Sequence, residues 1–190
     1  MREMAIVTSN KGKMQEFKAG LEPLGFKVTQ LDVECDEIQT DTLEEVVKSC
    51  VAQVELMGKT DFILDDSGLF LHNYDGFPGV YSSYAFKTIG SKGIIKLLDR
   101  EPERGAHFEC VIGCSIQDVG RIFVKGACQG WIDYTERGKG GFGFDPVFVP
   151  DGSTKTFAEM DMDEKNKISH RGIAINKLVE QLKWRMGDNK

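Results

Sequence analysis

The sequence predicts an α/β protein with a mixed, twisted central sheet flanked by helices, and three patterns carry that expectation. Short apolar runs at 4–8, 26–31 and 62–64 suit buried strands and alternate with stretches of helical periodicity. Residues 106–117 alternate apolar and polar, turn at 118–120 and return at 122–128, which describes a β-hairpin. The chain closes on an amphipathic helix that starts near Ser169. At 190 residues it fits one domain over 1–190, and an apolar fraction of 41% can fill the core.

The first unit is the strand at 4–8, a turn through Ser9 and Asn10 that can cap a helix, and a helix burying Met14, Phe17, Leu21 and Leu24 until Gly25 ends it. Thr8, Ser9, Asn10, Lys11, Gly12 and Lys13 thereby fall where helix-start amides gather phosphates. The segment is not a Walker A loop, because Met14 follows Gly12-Lys13 and Val7 stands where the first glycine belongs. The bland alternative is a capped helix with two solvated lysines. After the strand at 26–31 comes an acidic segment with Glu34, Asp36, Glu37 and Asp41. Thr42 and Glu45 make a capping box for a helix that buries Leu43, Val46 or Val47, Cys50, Val54 and Met57 and stops at Gly58. The acids are either helix-start charges favoured by the macrodipole, or one of them binds a metal.

The strand at 62–64 enters a turn, Asp65-Asp66-Ser67-Gly68, and 69–71 continues it. Adjacent carboxylates on a strand alternate in direction, so one can face a site while the other faces away. The same turn composition is common without function. Ser67 lacks a G-x-S-x-G setting and is not read as a nucleophile. Residues 76–86 are dense in aromatics, with core packing the default reading and a subunit contact the functional one. Ser91 caps a short helix through Leu98, and Trp131-Ile132 forms a short strand.

Composition excludes several classes. A net charge of −6 argues against nucleic acid, since duplex binding needs a broad basic face. A small polyanion needs only a local basic cluster. Five cysteines are an odd number, no apolar leader precedes them, and Cys110 and Cys114 on one strand would lie too far apart to bond. The three histidines, at 72, 107 and 170, are too scattered for a zinc site. The expectation is reduced, buried thiols in a cytoplasmic protein. No run approaches transmembrane length, so no membrane partner is expected.

Chemistry concentrates between 140 and 171. Glycines around Phe142 and Phe144 bring bare backbone close to a flat group, and Asp145 precedes Pro146. Residues 138–143 match G-x-G-x-x-G formally, but no βα turn surrounds them and 146–149 continues as strand, so a dinucleotide loop is rejected. Asp161 and Asp163 begin a short helix carrying Lys165, and His170-Arg171 open the last helix. Aromatic faces, a fixed carboxylate and clustered cations describe a nucleotide site.

Phe142-Gly143-Phe144-Asp145-Pro146, then Lys165-Asn166 and Ser169-His170-Arg171, closely resemble the inosine triphosphate pyrophosphatase family. Thr8-Ser9-Asn10-Lys11-Gly12-Lys13 and Asp65-Asp66-Ser67-Gly68-Leu69 match in order, so the resemblance spans nearly the whole chain. It implies two lobes with an active-site cleft between them, a homodimer, and cleavage of non-standard purine nucleoside triphosphates to monophosphate and pyrophosphate. Two acids beside a triphosphate need a cation between them, which implies Mg²⁺. By the resemblance Glu37 and Asp66 would hold it, and Asp66 would also take a proton from the attacking water, with Asp65 in support. Lys13 with Thr8, Ser9, Asn10, Lys11 and Gly12 would grip the phosphates, with Ser67 and Lys165 adding contacts. Phe142 would stack on the base, and Gly143, Phe144, Asp145, His170 and Arg171 would line it. Two departures stand out. Cys50 occupies a position where many members carry a lysine, with Lys48 on a different face, and Ser82-Ser83 replace a basic residue after the Pro-Gly-x-Tyr bend. The rivals are a non-catalytic nucleotide sensor, which would not need Glu37 or Asp66, and a phosphatase, which would need a D-x-D-x-T nucleophile that is not there.

Overall fold

A computed structural model describes residues 2–187; the ends of the expected 1–190 domain lie outside the described residues. In chain order it runs β1 (Arg2–Val7), α1 (Lys11–Leu21), β2 (Phe26–Leu31), α2 (Leu43–Leu56), β3 (Phe62–Leu71), α3 (Ser82–Thr88), α4 (Gly90–Leu97), β4 (Gly105–Ile116), β5 (Gly120–Ile132), β6 (Phe148–Pro150), α5 (Met162–Ile168) and α6 (His170–Met186). The strands form one sheet in the order β2-β1-β3-β4-β5-β6. β1 pairs in parallel with β2 and β3, and the remaining pairs are antiparallel. The sheet is mixed, as expected.

Three apolar clusters organise the layers. α1 and α6 cover one face of the parallel half through Phe17, Leu21, Ile175 and Leu178 over Met4, Ile6 and Ile63. α2 covers the opposite face with Val46, Val47 and Val54 over Phe62 and Leu64. A third cluster gathers Leu69, Leu71, Phe108, Phe144 and Phe148 at the other end of the sheet, with Ala85 of α3 and Ile94 of α4. The cleft is lined by residues of this cluster and of the α2 cluster. Caps set the helix starts: Asn10, Thr42, Asp161 and Ser169 each accept a first-turn amide.

The structure departs from the sequence reading in several places. Asp65 to Gly68 is not a turn: β3 runs unbroken through it, held on one side by β4 at Cys110–Ile112 and Glu109. β1 pairs with β3 only as far as Val7 opposite Leu64. Past that point the other edge of β3 is free of strand neighbours, which is why polar residues can stand there. Trp131-Ile132 belongs to β5 and is not a separate strand. Pro146-Val147 lies in turns, leaving β6 to begin at Phe148. α4 begins at Gly90, whose φ of 61° breaks it from α3, one residue before the expected cap. Leu24, Met57 and Met186, expected on buried faces, sit exposed at helix ends. The aromatics after Gly76 do not pack into the core: Phe77, Tyr81, Tyr84 and Phe86 are all exposed, Tyr84 at 70%. No described helix is long and apolar enough to cross a membrane.

Candidate active site

The end of β1, the freed edge of β3, the coil before α2, α3, the turns around Gly143 and the start of α6 surround a cavity of about 790 Å³. That volume suits a nucleotide-sized ligand. It opens where the parallel strands β1 and β3 end their pairing, the usual place for ligands in open α/β sheets.

Strand alternation sorts the two aspartates. Ile63 packs under α1 and α6, while Phe62 and Leu64 pack under α2. By the period of two, Asp65 and Ser67 face α6, and Asp66 faces α2 and the coil bearing Glu37. Asp65 has a fully buried side chain. Arg171 donates to its Oδ2 through Nε and Nη2, both at 3.1 Å, and Lys13 Nζ lies 3.3 Å from the same oxygen. Burial opposes ionisation of Asp65, but Lys13 and Arg171 outweigh it and hold the carboxyl below the usual range. Lys13 Nζ also donates to the Asp65 carbonyl at 3.0 Å, a group that β1 would have taken had it continued.

Arg171 is 1% exposed and nearly saturated. Besides Asp65 it donates through Nη2 to Ser67 Oγ at 2.7 Å and through Nη1 to Glu16. One Nη1 hydrogen is left of its five donors. Lys165, also buried, donates to Glu16 Oε1 at 2.6 Å and Asp145 Oδ2 at 2.8 Å, and Asp145 Oδ2 accepts from the Phe142 amide at 2.8 Å. Glu16 is held ionised: burial pushes its pKa up, but Arg171 and Lys165 bring it below the usual value. For Asp145 burial wins over Lys165 and the pKa is raised. Lys13, Lys165 and Arg171 thus meet Glu16, Asp65 and Asp145 in a self-neutralising cluster.

Glu16 escaped the sequence reading. Its signal was an acid in the buried stripe of α1, one turn after Lys13 and beside Phe17. Its partners lie 149 and 155 residues away in sequence, beyond any local pattern.

The other expected residues fall as follows. Asn10 accepts from the Gly12 and Lys13 amides at 2.8 and 3.2 Å, and Thr8 Oγ1 accepts from the Asn10 amide at 3.1 Å. Two of the three first-turn amides are therefore already engaged, and Lys13 presents its side chain in their place. Thr8, Ser9, Asn10 and Lys13 line the cavity; Lys11 and Gly12 do not. Gly12 lies beneath Phe142, whose ring would collide with any added Cβ. Lys165 Nζ and Arg171 sit under the Phe142 ring at 5.1 and 5.5 Å from its centroid. Gly143, Phe144, Asp145, Lys165, His170 and Arg171 line the cavity with it. His170 stacks flat on Phe108, centroids 4.6 Å apart, and burial together with Arg171 and Lys165 keeps the imidazole neutral. Its Nδ1 is buried without a partner among the described residues, as is Asp65 Oδ1.

Asp66 stands apart from the neutral cluster. Burial raises its pKa to about 6, Lys13 opposes that rise, and Glu37 adds to it. Glu37 and Asp66 both line the cavity. Among the described residues no group of three or more His, Cys, Asp or Glu side chains could hold a metal alone. Two cavity carboxylates, completed by ligand phosphates and water, fit the Mg²⁺ pattern of one or two protein carboxylates, not an all-protein cage.

The thiols correct the expectation. Cys110, Cys114 and Cys128 are buried and free, but Cys35 and Cys50 form a disulfide, Cα atoms 5.5 Å apart. The coil before α2 folds back over the helix, and Gln53 fixes it further by exchanging two 2.8 Å hydrogen bonds with the Asp36 backbone. Cys50 thus tethers the coil that carries Glu37, and Lys48 does not line the cavity.

The Ham1 family profile matches residues 4–181. The dITP/XTP pyrophosphatase of Thermococcus kodakarensis is 50% identical over 180 residues, covering 95% of this chain and 97% of that one. The protein of the same name from Pyrococcus horikoshii is 45% identical over 177 residues, 93% and 95% of the two chains. Among solved structures, the Staphylococcus aureus Ham1 protein superposes with a TM-score of 0.80 at 33% identity, covering 99% of this chain and 100% of that one. A HAM1 protein from Coxiella burnetii gives 0.78 at 31%, covering 96% and 98%. The open mixed sheet is the architecture shared with these two structures. The chain belongs to the Ham1 family.

Two outcomes test the site. Glu16→Ala leaves Lys165 and Arg171 short of a counter-charge in the interior, and should lower stability by about 3–5 kcal/mol in denaturant titrations. Glu16→Gln keeps the shape and should lose less; a loss below about 1 kcal/mol for the alanine variant would contradict the network's role. In metal-free protein Asp66→Asn should be the more stable form at neutral pH. Ionising Asp66 is costlier in the fold than in the unfolded chain, so wild type loses relative stability as pH rises from about 4 to about 6. Thermal melts across that range should show the gap open and then stay constant.

Proposed function

We propose that the protein hydrolyses ITP, dITP and XTP to the monophosphate and pyrophosphate with Mg²⁺, clearing non-standard purines from the cytoplasmic nucleotide pool. The observation that carries this reading is the division of labour on β3: Asp65 is buried in ion pairs, while Asp66 is left reactive beside Glu37. A binding protein would not need Asp66 and Glu37 together at the cavity wall. The names of the relatives support the same reading.

In the reaction, Asp66 and Glu37 would hold the metal ion, which would supply charge neutralisation for the phosphates. Asp66, whose carboxylate is set at the cavity wall with Glu37, would take the proton of the water that attacks the α-phosphorus. Lys13 faces the departing pyrophosphate. Phe142 presents a ring face to the base from a platform fixed by Gly12, Lys165 and Arg171. Arg171 then acts through Asp65 and Ser67, with at most one donor for the base. Base reading passes to neutral His170 and the backbone of Gly143 to Asp145.

Water labelled with heavy oxygen should leave its label in the monophosphate; label in free inorganic phosphate would overturn the assignment. Asp66→Asn should slow turnover by roughly 10²–10⁴-fold while the fold persists. The exposed aromatics Phe77, Tyr81 and Tyr84 support a homodimer through this face. Light scattering at micromolar concentration should give twice the chain mass, and Tyr84→Glu should reduce it to a monomer. With a net charge of −6, no nucleic-acid partner is proposed.

A further inference from the structure

The cations facing the cavity are not equivalent. Lys165 and Arg171 are buried and bonded to Glu16, Asp65 and Asp145, and Lys13 lies against Asp65. His170 is neutral. Lys87 also lines the cavity, is exposed, and makes no ion pair among the described residues. It is the one cavity lysine whose charge is uncompensated within the described protein.

Its helix is fixed in place. The Ser82 hydroxyl at the start of α3 accepts from the Leu69 amide at 2.8 Å and donates to the Gly79 carbonyl at 2.7 Å, which ties α3 to β3. Phe86 stands edge-on to Phe144 with centroids 5.3 Å apart, which ties α3 to the aromatic wall. Ser83 and Lys87 are one helical turn apart, and both line the cavity. Lys87 shares this cavity with the acids Glu37 and Asp66, so a polyanion bound there would meet it as a cation that no protein carboxylate neutralises among the described residues.

We propose that Lys87 is a substrate-binding residue that contacts the polyphosphate of the nucleoside triphosphate. The proposal rests on the triphosphate reading of the same cavity. Lys87 holds the tail in the ground state and the transition state alike, so it sets KM and leaves kcat nearly untouched.

The test separates the proposal from the reading beneath it by using inorganic tripolyphosphate, which has no base or sugar, beside dITP. Calorimetry with Mg²⁺ gives its Kd for wild type, Lys87→Met, Lys87→Arg and Lys92→Met. Lys92 lies on α4, exposed and outside the cavity lining, and removes the same net charge. Lys87→Met should weaken tripolyphosphate binding roughly tenfold, the scale of one charge-assisted contact. It should raise KM for dITP by a like factor with kcat within about twofold, and the difference should shrink as salt rises. Lys87→Arg should stay near wild type, and Lys92→Met should not move. Equal binding by Lys87→Met and Lys92→Met overturns the proposal, as does a wild type that fails to bind tripolyphosphate. If wild type binds tripolyphosphate but releases no pyrophosphate from dITP or XTP, the functional reading fails while the titration still decides Lys87.

Discussion

A buried cluster of five charges, with Lys13 at its edge, holds the active end of this molecule together. Glu16 on α1 bridges Lys165 on α5 and Arg171 on α6, Arg171 reaches Asp65 on β3, and Lys165 reaches Asp145 in the turns after Gly143. Removing charges from water is expensive, and such pairs often contribute little net stability against apolar residues of the same shape. What they do here is fix register. Five segments remote in sequence converge on side chains that tolerate few alternative arrangements, because any misplacement strands a charge in the interior. Close backbone packing reinforces this: a Cβ at Gly172 would strike the Asn166 backbone, and one at Gly126 would strike the first turn of α6. The aromatic platform of Phe142 is mounted on that cluster.

The second constraint is where β1 stops. Because pairing with β1 ends at Val7 opposite Leu64, β3 continues past it with no strand on that edge, and its alternation delivers Asp65 to the ion cluster and Asp66 to the side of Glu37. Adjacent residues of the same type thereby differ in ionisation. Asp65 is kept charged by two cations that outweigh its burial, and Asp66 is left with a pKa of about 6 by burial and the neighbouring charge of Glu37. One residue of register slip would exchange the two environments. The structural and chemical carboxylates are therefore specified by the strand pairing as much as by the side chains.

Local signals were legible in the sequence. The caps at Asn10, Thr42 and Ser169, the hairpin through 118–120 and the split of Asp65 from Asp66 all follow from short-range rules, and the structure agrees with each. The continuous β3 was missed because Asp, Ser and Gly together read as a turn, and the antiparallel partner that keeps them extended lies some 45 residues away. The engagement of Lys165 and Arg171 was equally out of reach, since cations at a helix start look solvent-facing until Glu16 is known to stand opposite them. Cys35 and Cys50 bond because a coil without periodicity folds back onto α2, a geometry no spacing rule supplies.

An acidic cleft in an acidic protein raises the question of how a polyanion would be held at all. In the buried cluster Lys165 and Arg171 are outnumbered by Glu16, Asp65 and Asp145, so they add little net attraction toward phosphate. Glu34, Asp36, Glu37 and Asp66 around the rim repel it. The remaining positive charge is Lys13, partly shared with Asp65, and Lys87. A divalent cation held by Asp66 and Glu37 would neutralise those two charges and turn two repulsive groups into a support for a cation. Binding would then depend steeply on the metal, and the free triphosphate would be rejected without it.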